Sequence, residues 1–200
     1  MRCQVISLSQ VYDQSYELAH KILKSGYRPE IIIAIARGGF IPARFLCDFL
    51  TVSDMTSIKI KHYGAAAVKE RAAWVQYPLS ADIKGRSVLV VDDVNDTGET
   101  LIAAANHIHD FQPAILKIAV LHEKQTTVMS ADYYSLYVRK WRWIIYPWAV
   151  VEDVGTFLKK MEPYPISAAD ASVRLRREYG IRMSLRWIKK IMRLKISDEP

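Results

Sequence analysis

Asp92 and Asp93 stand side by side in this chain, and two residues later comes Asp96-Thr97-Gly98-Glu99-Thr100. Adjacent carboxylates can accept hydrogen bonds from vicinal hydroxyls or hold a hydrated Mg²⁺. Thr97, Gly98 and Thr100 are residue types that open a helix, whose first backbone N–H groups suit a phosphate. Sugar-gripping acids beside an anion cradle imply a phosphorylated sugar. Upstream, Arg37-Gly38-Gly39 pairs a guanidinium with two glycines that let backbone approach an anion closely, which suits a diphosphate. Farther along, Lys124 can donate to a carbonyl oxygen.

Each signal has an ordinary alternative. Asp and Thr are common helix caps, but a cap needs one such residue and here six specified positions agree. Arg-Gly-Gly alone is most often a plain turn, and a tryptophan is often an amphipathic residue at a core edge. The five histidines suggest no metal site: His107 and His109 are two apart on a predicted helix and face different directions, and His20, His62 and His122 stand alone. His62 could touch a ligand from the end of a strand, although such a histidine is usually just solvated or hydrogen-bonded.

Chemistry of this kind needs rigid elements to aim it. Val88–Val91 is a short β-branched run bounded by Gly85 and reads as a buried central strand ending at the acids. Ile31–Ala36 (IIIAIA) reads the same way and leads through Arg37-Gly38-Gly39 into a helical stretch, FIPARFLCDFL. Ala114–Leu121 is a third buried strand, with Lys124 just past its end, where ligands gather in open α/β sheets. A helix is predicted over about Ser9–Ser25 and a strand over Ser57–Tyr63. Residues 62–85 combine small residues and mixed charge without clean periodicity and read as a mobile loop, with Lys69, Glu70 and Arg71 as candidates for anion or partner contact.

The strand, the Asp92-Asp93 pair, the two spacers and Asp96-Thr97-Gly98-x-Thr100 together resemble the phosphoribosyl-pyrophosphate (PRPP) loop of the type I phosphoribosyltransferases, in the branch acting on 6-oxopurines. The resemblance implies that fold: α/β, with a central mainly parallel sheet flanked by helices, a flexible loop closing over the site and, in this chain, a helical C-terminal extension. It implies that Asp92 and Asp93 bind the ribose hydroxyls, directly or through Mg²⁺, and that Asp96 sits near purine N7 as the catalytic acid–base group. Residues Asp96, Thr97, Gly98, Glu99 and Thr100 would wrap the 5-phosphate, and Arg37, Gly38 and Gly39 would form the pyrophosphate loop. Lys124 would bond the purine O6, and Trp143 with Ile144 would form the base-binding face. The segment Trp143-Ile144-Ile145-Tyr146-Pro147-Trp148 is similar to the bacterial xanthine-guanine enzymes in particular.

The activity so implied is a glycosyl transfer in purine salvage. A purine base and PRPP would give a nucleoside 5-monophosphate and pyrophosphate, with hypoxanthine, guanine and xanthine all open as the base. Adenine-specific relatives carry Ala-Thr-Gly where this chain has Asp96-Thr97-Gly98, and a lysine donor suits O6 rather than an amino group. Two positions depart from the pattern. Relatives place an acid directly after Pro-Trp, whereas position 149 is Ala and the nearest acids are Glu152 and Asp153. Glu99 replaces the usual Lys, Arg or Gly, and a carboxylate there is expected to point away and offer only its N–H.

Composition agrees with a cytoplasmic enzyme. A chain of 200 residues with 50% apolar content can bury one substantial core, and no run approaches the roughly 20 apolar residues of a membrane span. The N-terminal MRCQVISLSQ has no signal-like apolar stretch, and Cys3 and Cys47 lack paired spacing. The expected organisation is a phosphoribosyltransferase domain over residues 1–155 and a basic helical extension over 156–200, in a homodimer implied by the resemblance.

Residues 164–200 hold nine Lys/Arg and four Asp/Glu, so most of the net charge of +7 resides there. Ser167-Ala-Ala-Asp170 can cap a helix to Tyr179, Gly180 can end it, and Ser184 can cap another with Leu185, Ile188, Ile191 and Met192 along one side. A helix-turn-helix on this tail would make the protein a nucleotide-sensing transcriptional regulator. Arg176 and Arg186 fall where that motif wants Ala and an aliphatic residue, so nucleic acid is not the expected partner. The tail is expected to pack its apolar stripe on the core or on a second subunit.

Overall fold

The computed structural model describes residues 1–62 and 73–194, with the His62 side chain excepted. In chain order the elements are β1 (Cys3–Val5), α1 (Leu8–Lys24), β2 (Ile31–Ala36), α2 (Phe40–Phe49), β3 (Met55–His62), β4 (Ala73–Tyr77), β5 (Ser87–Asn95), α3 (Glu99–His109), β6 (Ile115–Lys124), β7 (Tyr133–Val138), β8 (Trp143–Ile145), α4 (Val150–Lys159), α5 (Ala168–Tyr179) and α6 (Leu185–Arg193). The chain divides into two compact units, one of Val11–Trp141 and one of Met1–Gln10 with Arg142–Pro200.

The larger unit is built on a six-stranded sheet of order β4-β3-β2-β5-β6-β7. All pairings are parallel except β3 with β4. β2 and β5 read as continuous aliphatic runs because both of their faces are covered. On one face Ile31, Ile33, Val88, Val90, Ile118 and Val120 form a core with Leu101, Ala104 and Ile108 of α3. On the other, the alternate residues Ile32, Ala34, Leu89 and Val91 are buried, and α2 packs against β2 and β5. Edge-to-face contacts of Tyr12 with Phe45 and Phe49, at 5.1 and 5.0 Å, tie α1 to α2.

From β2 the chain moves outward to β3 and β4, then returns to the other side of β2 as β5. The sheet therefore has its switch point between β2 and β5, where ligands bind in open α/β sheets. Arg37-Gly38-Gly39 follows β2 and Asp96–Thr100 follows β5, so both motifs stand at that point.

Several elements differ from the sequence expectation. β5 continues through the two acids to Asn95, and Lys124 is the last residue of β6 rather than past its end, since ladder pairing with neighbouring strands extends beyond the apolar runs. β4 lies inside the segment read as a loop, where cross-strand pairing with β3 supplies the order that local periodicity lacked. Lys69, Glu70 and Arg71 lie outside the described residues. β7, with exposed and half-buried positions alternating, gave no apolar run to find.

The smaller unit contains a two-stranded parallel sheet, with Cys3, Gln4 and Val5 in register with Trp143, Ile144 and Ile145. Its core joins Ile145 to Val154, Phe157, Leu158 and Met161, to Ala171 and Leu175 of α5, and to Ile188 and Ile191 of α6. The caps of the last two helices form where the sequence places them. Ser167 accepts from the Asp170 N–H at 3.1 Å, the Asp170 carboxylate accepts from the Ile166 N–H at 3.2 Å, Gly180 ends α5 at φ 76°, and Ser184 accepts from the Trp187 N–H at 3.4 Å. The apolar side of the tail packs in a core shared with β8 and α4. Leu185, expected on that stripe, is exposed.

Candidate active site

Asp92 and Asp93 occupy the carboxyl end of β5. Asp92 is buried, Asp93 half-buried, and the Asp93 N–H donates to Asp92 Oδ1 at 2.9 Å. Burial first, and then the charge of Asp93, pushes the Asp92 carboxyl well above the usual carboxylate range, against the pull of that N–H. Such a pair is poised to gain from a cation or from hydroxyl donors.

The loop after β2 lies directly against this pair. A Cβ on Gly38 would stand 2.7 Å from Asp93 Oδ1 and closer still to Oδ2, while one on Gly39 would meet the Ile35 carbonyl oxygen at 2.8 Å and the Val91 carbonyl. Only residues without a side chain allow this approach. Arg37 is exposed beside them, and the Ala36–Arg37 peptide is cis.

Gly98 begins α3 at φ 94°, a conformation that favours glycine, and it brings no side chain to cap the first-turn N–H groups. The resulting backbone nest suits a phosphate, with Thr97 exposed and Thr100 half-buried at its edge. A Cβ on Gly98 would lie 2.9 Å from both the Met129 nitrogen and Thr127 Oγ1, so the loop is backed tightly by residues 127–129. Behind it a buried polar network holds the backing in place. Asn95 Nδ2 donates to Glu123 Oε2 at 2.9 Å and to the Met129 carbonyl at 2.7 Å, and Thr127 Oγ1 donates to Asn95 Oδ1 at 3.1 Å.

Asp96 and Lys124 form an ion pair with Nζ 2.6 Å from Oδ2. The other carboxylate oxygen accepts from Thr126 Oγ1 at 2.9 Å, and the Trp141 indole N–H reaches both oxygens at 3.2 and 3.3 Å. Burial would raise the Asp96 carboxyl, but the donors from Lys124 and Thr126, the lysine charge and the indole outweigh it and leave it below its ordinary value. Lys124 is itself 3% exposed and lies 4.7 Å from the centre of the Trp141 ring. Nearby on β6, burial and then Lys124 push His122 down to about 4, so it is neutral at neutral pH.

Trp143 and Ile144 belong to the smaller unit, on β8, where Trp143 is partly exposed and Ile144 buried. The indole N–H of Trp143 bonds the Asp153 carboxylate, and burial raises that carboxyl to about 6, helped by Glu152. Asp153, the second of the two acids nearest after Pro-Trp, thus serves Trp143. Among the predicted residues, the larger unit brings together Gly38 with Asp93, and Asp96 with Lys124. Sequence reasoning missed Trp141, Thr126, Asn95 and Thr127. Only Trp141 left a trace, as an aromatic two positions before Trp143.

Among the described residues no group of three or more His, Cys, Asp or Glu gathers as for a metal ion, and no helix is long and apolar enough to cross a membrane. The phosphoribosyl transferase domain family matches residues 7–153. The chain is 26% identical over 194 residues to hypoxanthine-guanine phosphoribosyltransferase of Schizosaccharomyces pombe, covering 78% of this chain and 94% of that one. It is 29% identical over 169 residues to xanthine-guanine phosphoribosyltransferase of Ruegeria sp., covering 80% and 89%. The crystal structure of purine phosphoribosyltransferase from Pyrococcus horikoshii superposes with a TM-score of 0.65 at 32% identity, over 74% of this chain and 95% of that one.

Proposed function

Because the chain belongs to the type I purine phosphoribosyltransferases, we propose that it transfers the 5-phosphoribosyl group of PRPP to N9 of a 6-oxopurine, releasing pyrophosphate. The observation that carries this reading is the Asp96–Lys124 pair, 2.6 Å apart. One edge of a 6-oxopurine presents an acceptor, O6, next to N7, which carries a proton when N9 attacks. An ammonium beside an ionised carboxylate matches that order of acceptor and donor. A 6-amino group would turn a hydrogen toward Lys124 and leave both donors opposed.

Asp96 accepts the N7 proton and so raises the nucleophilicity of N9. Its depressed pKa keeps it ionised at neutral pH, as an acceptor must be. The backbone of Asp96–Thr100 and the Thr97 and Thr100 hydroxyls hold the 5-phosphate, while Glu99 contributes its N–H alone. Arg37, Gly38 and Gly39 bind the departing diphosphate. Asp92 and Asp93 grip the ribose hydroxyls, and their charge favours the cationic ribose that forms as the C1–O bond breaks. Base stacking on Trp143 and Ile144 is the role that the resemblance assigns to them.

Mg²⁺ fits the same acid pair, since burial and then the charge of Asp93 disfavour the ionised Asp92, and a divalent cation held by these hard carboxylate oxygens would relieve that charge. Bound there it would neutralise charge on the diphosphate. A cytoplasmic homodimer completes the reading, the free and half-buried to buried thiols of Cys3 and Cys47 being in keeping with a reducing compartment. Nothing about α5 and α6 favours the regulator alternative, since Ile188 and Ile191 of the second helix are committed to a core.

The test is nucleotide formation from PRPP with hypoxanthine, guanine, xanthine and adenine offered separately. Turnover with at least one oxopurine and none with adenine is expected, and a preference for adenine would overturn the reading.

A further inference from the structure

We infer that Trp141 is a positioning residue for base binding: its indole N–H orients the Asp96 carboxylate while its ring face seats the Lys124 ammonium, so that one side chain sets the donor and acceptor side by side. The inference rests on the proposed role of the Asp96–Lys124 pair and adds a residue to it. Three observations carry it. The indole nitrogen lies 3.2 Å from Asp96 Oδ1 and 3.3 Å from Oδ2, a position astride the carboxylate rather than at one oxygen. Lys124 Nζ stands 4.7 Å from the ring centroid, within the range of a cation–π contact. Lys124 is almost wholly buried, so its ammonium depends on these two partners in place of water.

The geometry also explains how both groups can serve a ligand at once. An ammonium has three hydrogens, and the bond to Asp96 uses one. The indole face holds Lys124 without consuming another hydrogen, which leaves donors to spare for a carbonyl. On Asp96, Thr126 Oγ1 and the indole N–H fix the carboxylate plane, so the carboxylate does not swing with the lysine when a base arrives. Without the indole, the carboxylate plane would lose one of its two fixing donors and the ammonium the ring face that seats it.

Two variants separate the two contacts. Trp141→Phe keeps an aromatic face and loses the N–H, while Trp141→Leu loses both. The expected result is a KM for the purine raised about ten-fold in W141L and about three-fold in W141F, with the KM for PRPP within about two-fold of wild type in both. A merely structural tryptophan would move both KM values together or neither, and either result overturns the inference.

A readout free of turnover keeps the matter decidable. In an NMR spectrum of the ¹⁵N-labelled protein, the indole N–H resonance that disappears in W141F should shift in Asp96→Asn and again when inosine 5-monophosphate is added. An indole resonance blind to both changes overturns the inference even if the enzyme is active. Should wild type form no nucleotide with any purine, the proposed function fails, while the response of that resonance to Asp96→Asn still decides whether the indole holds Asp96.

Discussion

Gly38 and Asp93 sit in such close contact that the space a Cβ would take on the glycine is already filled by the aspartate's carboxylate. The loop expected to hold a diphosphate and the acids expected to hold a ribose are thereby one surface, joined across the β2–β5 switch point.

The two neighbouring glycines should fail differently when given a methyl group. Gly38→Ala displaces a side chain, the Asp93 carboxylate, and is expected to raise the KM for PRPP about ten-fold or more while leaving the melting temperature nearly unchanged. Gly39→Ala meets backbone of Ile35 and Val91, which cannot step aside, and is expected to cost about 1–3 kcal/mol of stability by denaturant titration. Equal stability losses in the two variants would contradict this account.

Asp92 is a buried carboxylate beside another carboxylate, so its ionised form is unfavourable without a ligand. Asp92→Asn keeps an oxygen to accept the Asp93 N–H and removes the repulsion. We expect the free protein to melt about 2–5 °C higher in the absence of Mg²⁺ and PRPP, with activity lost. Thermal melts of both proteins with and without Mg²⁺ and PRPP check this, and the ligand-induced rise seen in wild type should shrink in the variant.

Asp96→Asn is expected to lower turnover roughly 100-fold or more, the scale of a lost proton acceptor, with the KM for PRPP changed less than about two-fold. Steady-state kinetics with the base saturating decide it. Comparable losses in turnover and PRPP affinity would show Asp96 to be a phosphate-loop residue instead.

Asp153 supplies a pH signature for the smaller unit. Its carboxyl is raised from an ordinary 3.8 to about 6, so the folded state holds a proton that the unfolded chain gives up. The stability this group lends is full below pH 4 and is lost as pH rises through about 6. Since the site is partly open to solvent, the loss should be on the order of 1 kcal/mol. Urea midpoints of wild type and Asp153→Asn, taken from pH 4 to pH 7, should show wild type declining relative to the variant; parallel curves would rule the effect out.

The sequence by itself determined the parts of this protein whose signals are local. Aliphatic runs such as Ile31–Ala36 and Val88–Val91 specify buried strands, Ser167, Gly180 and Ser184 specify helix ends, and Asp92-Asp93 with Asp96–Thr100 specify the ligand chemistry, because each depends on residues a few positions apart. What only the tertiary structure decided are the pairings set by sheet register. Asn95 pairs with Glu123 across β5 and β6, which brings Asp96 to Lys124 although 28 residues separate them, and the connection after β7 delivers Trp141 to the same carboxylate. β4 and β7 likewise exist through partners rather than through any pattern of their own, and Cys3–Val5 becomes a strand only against Trp143–Ile145. A parallel ladder fixes which distant residues are neighbours, and no local periodicity encodes that choice.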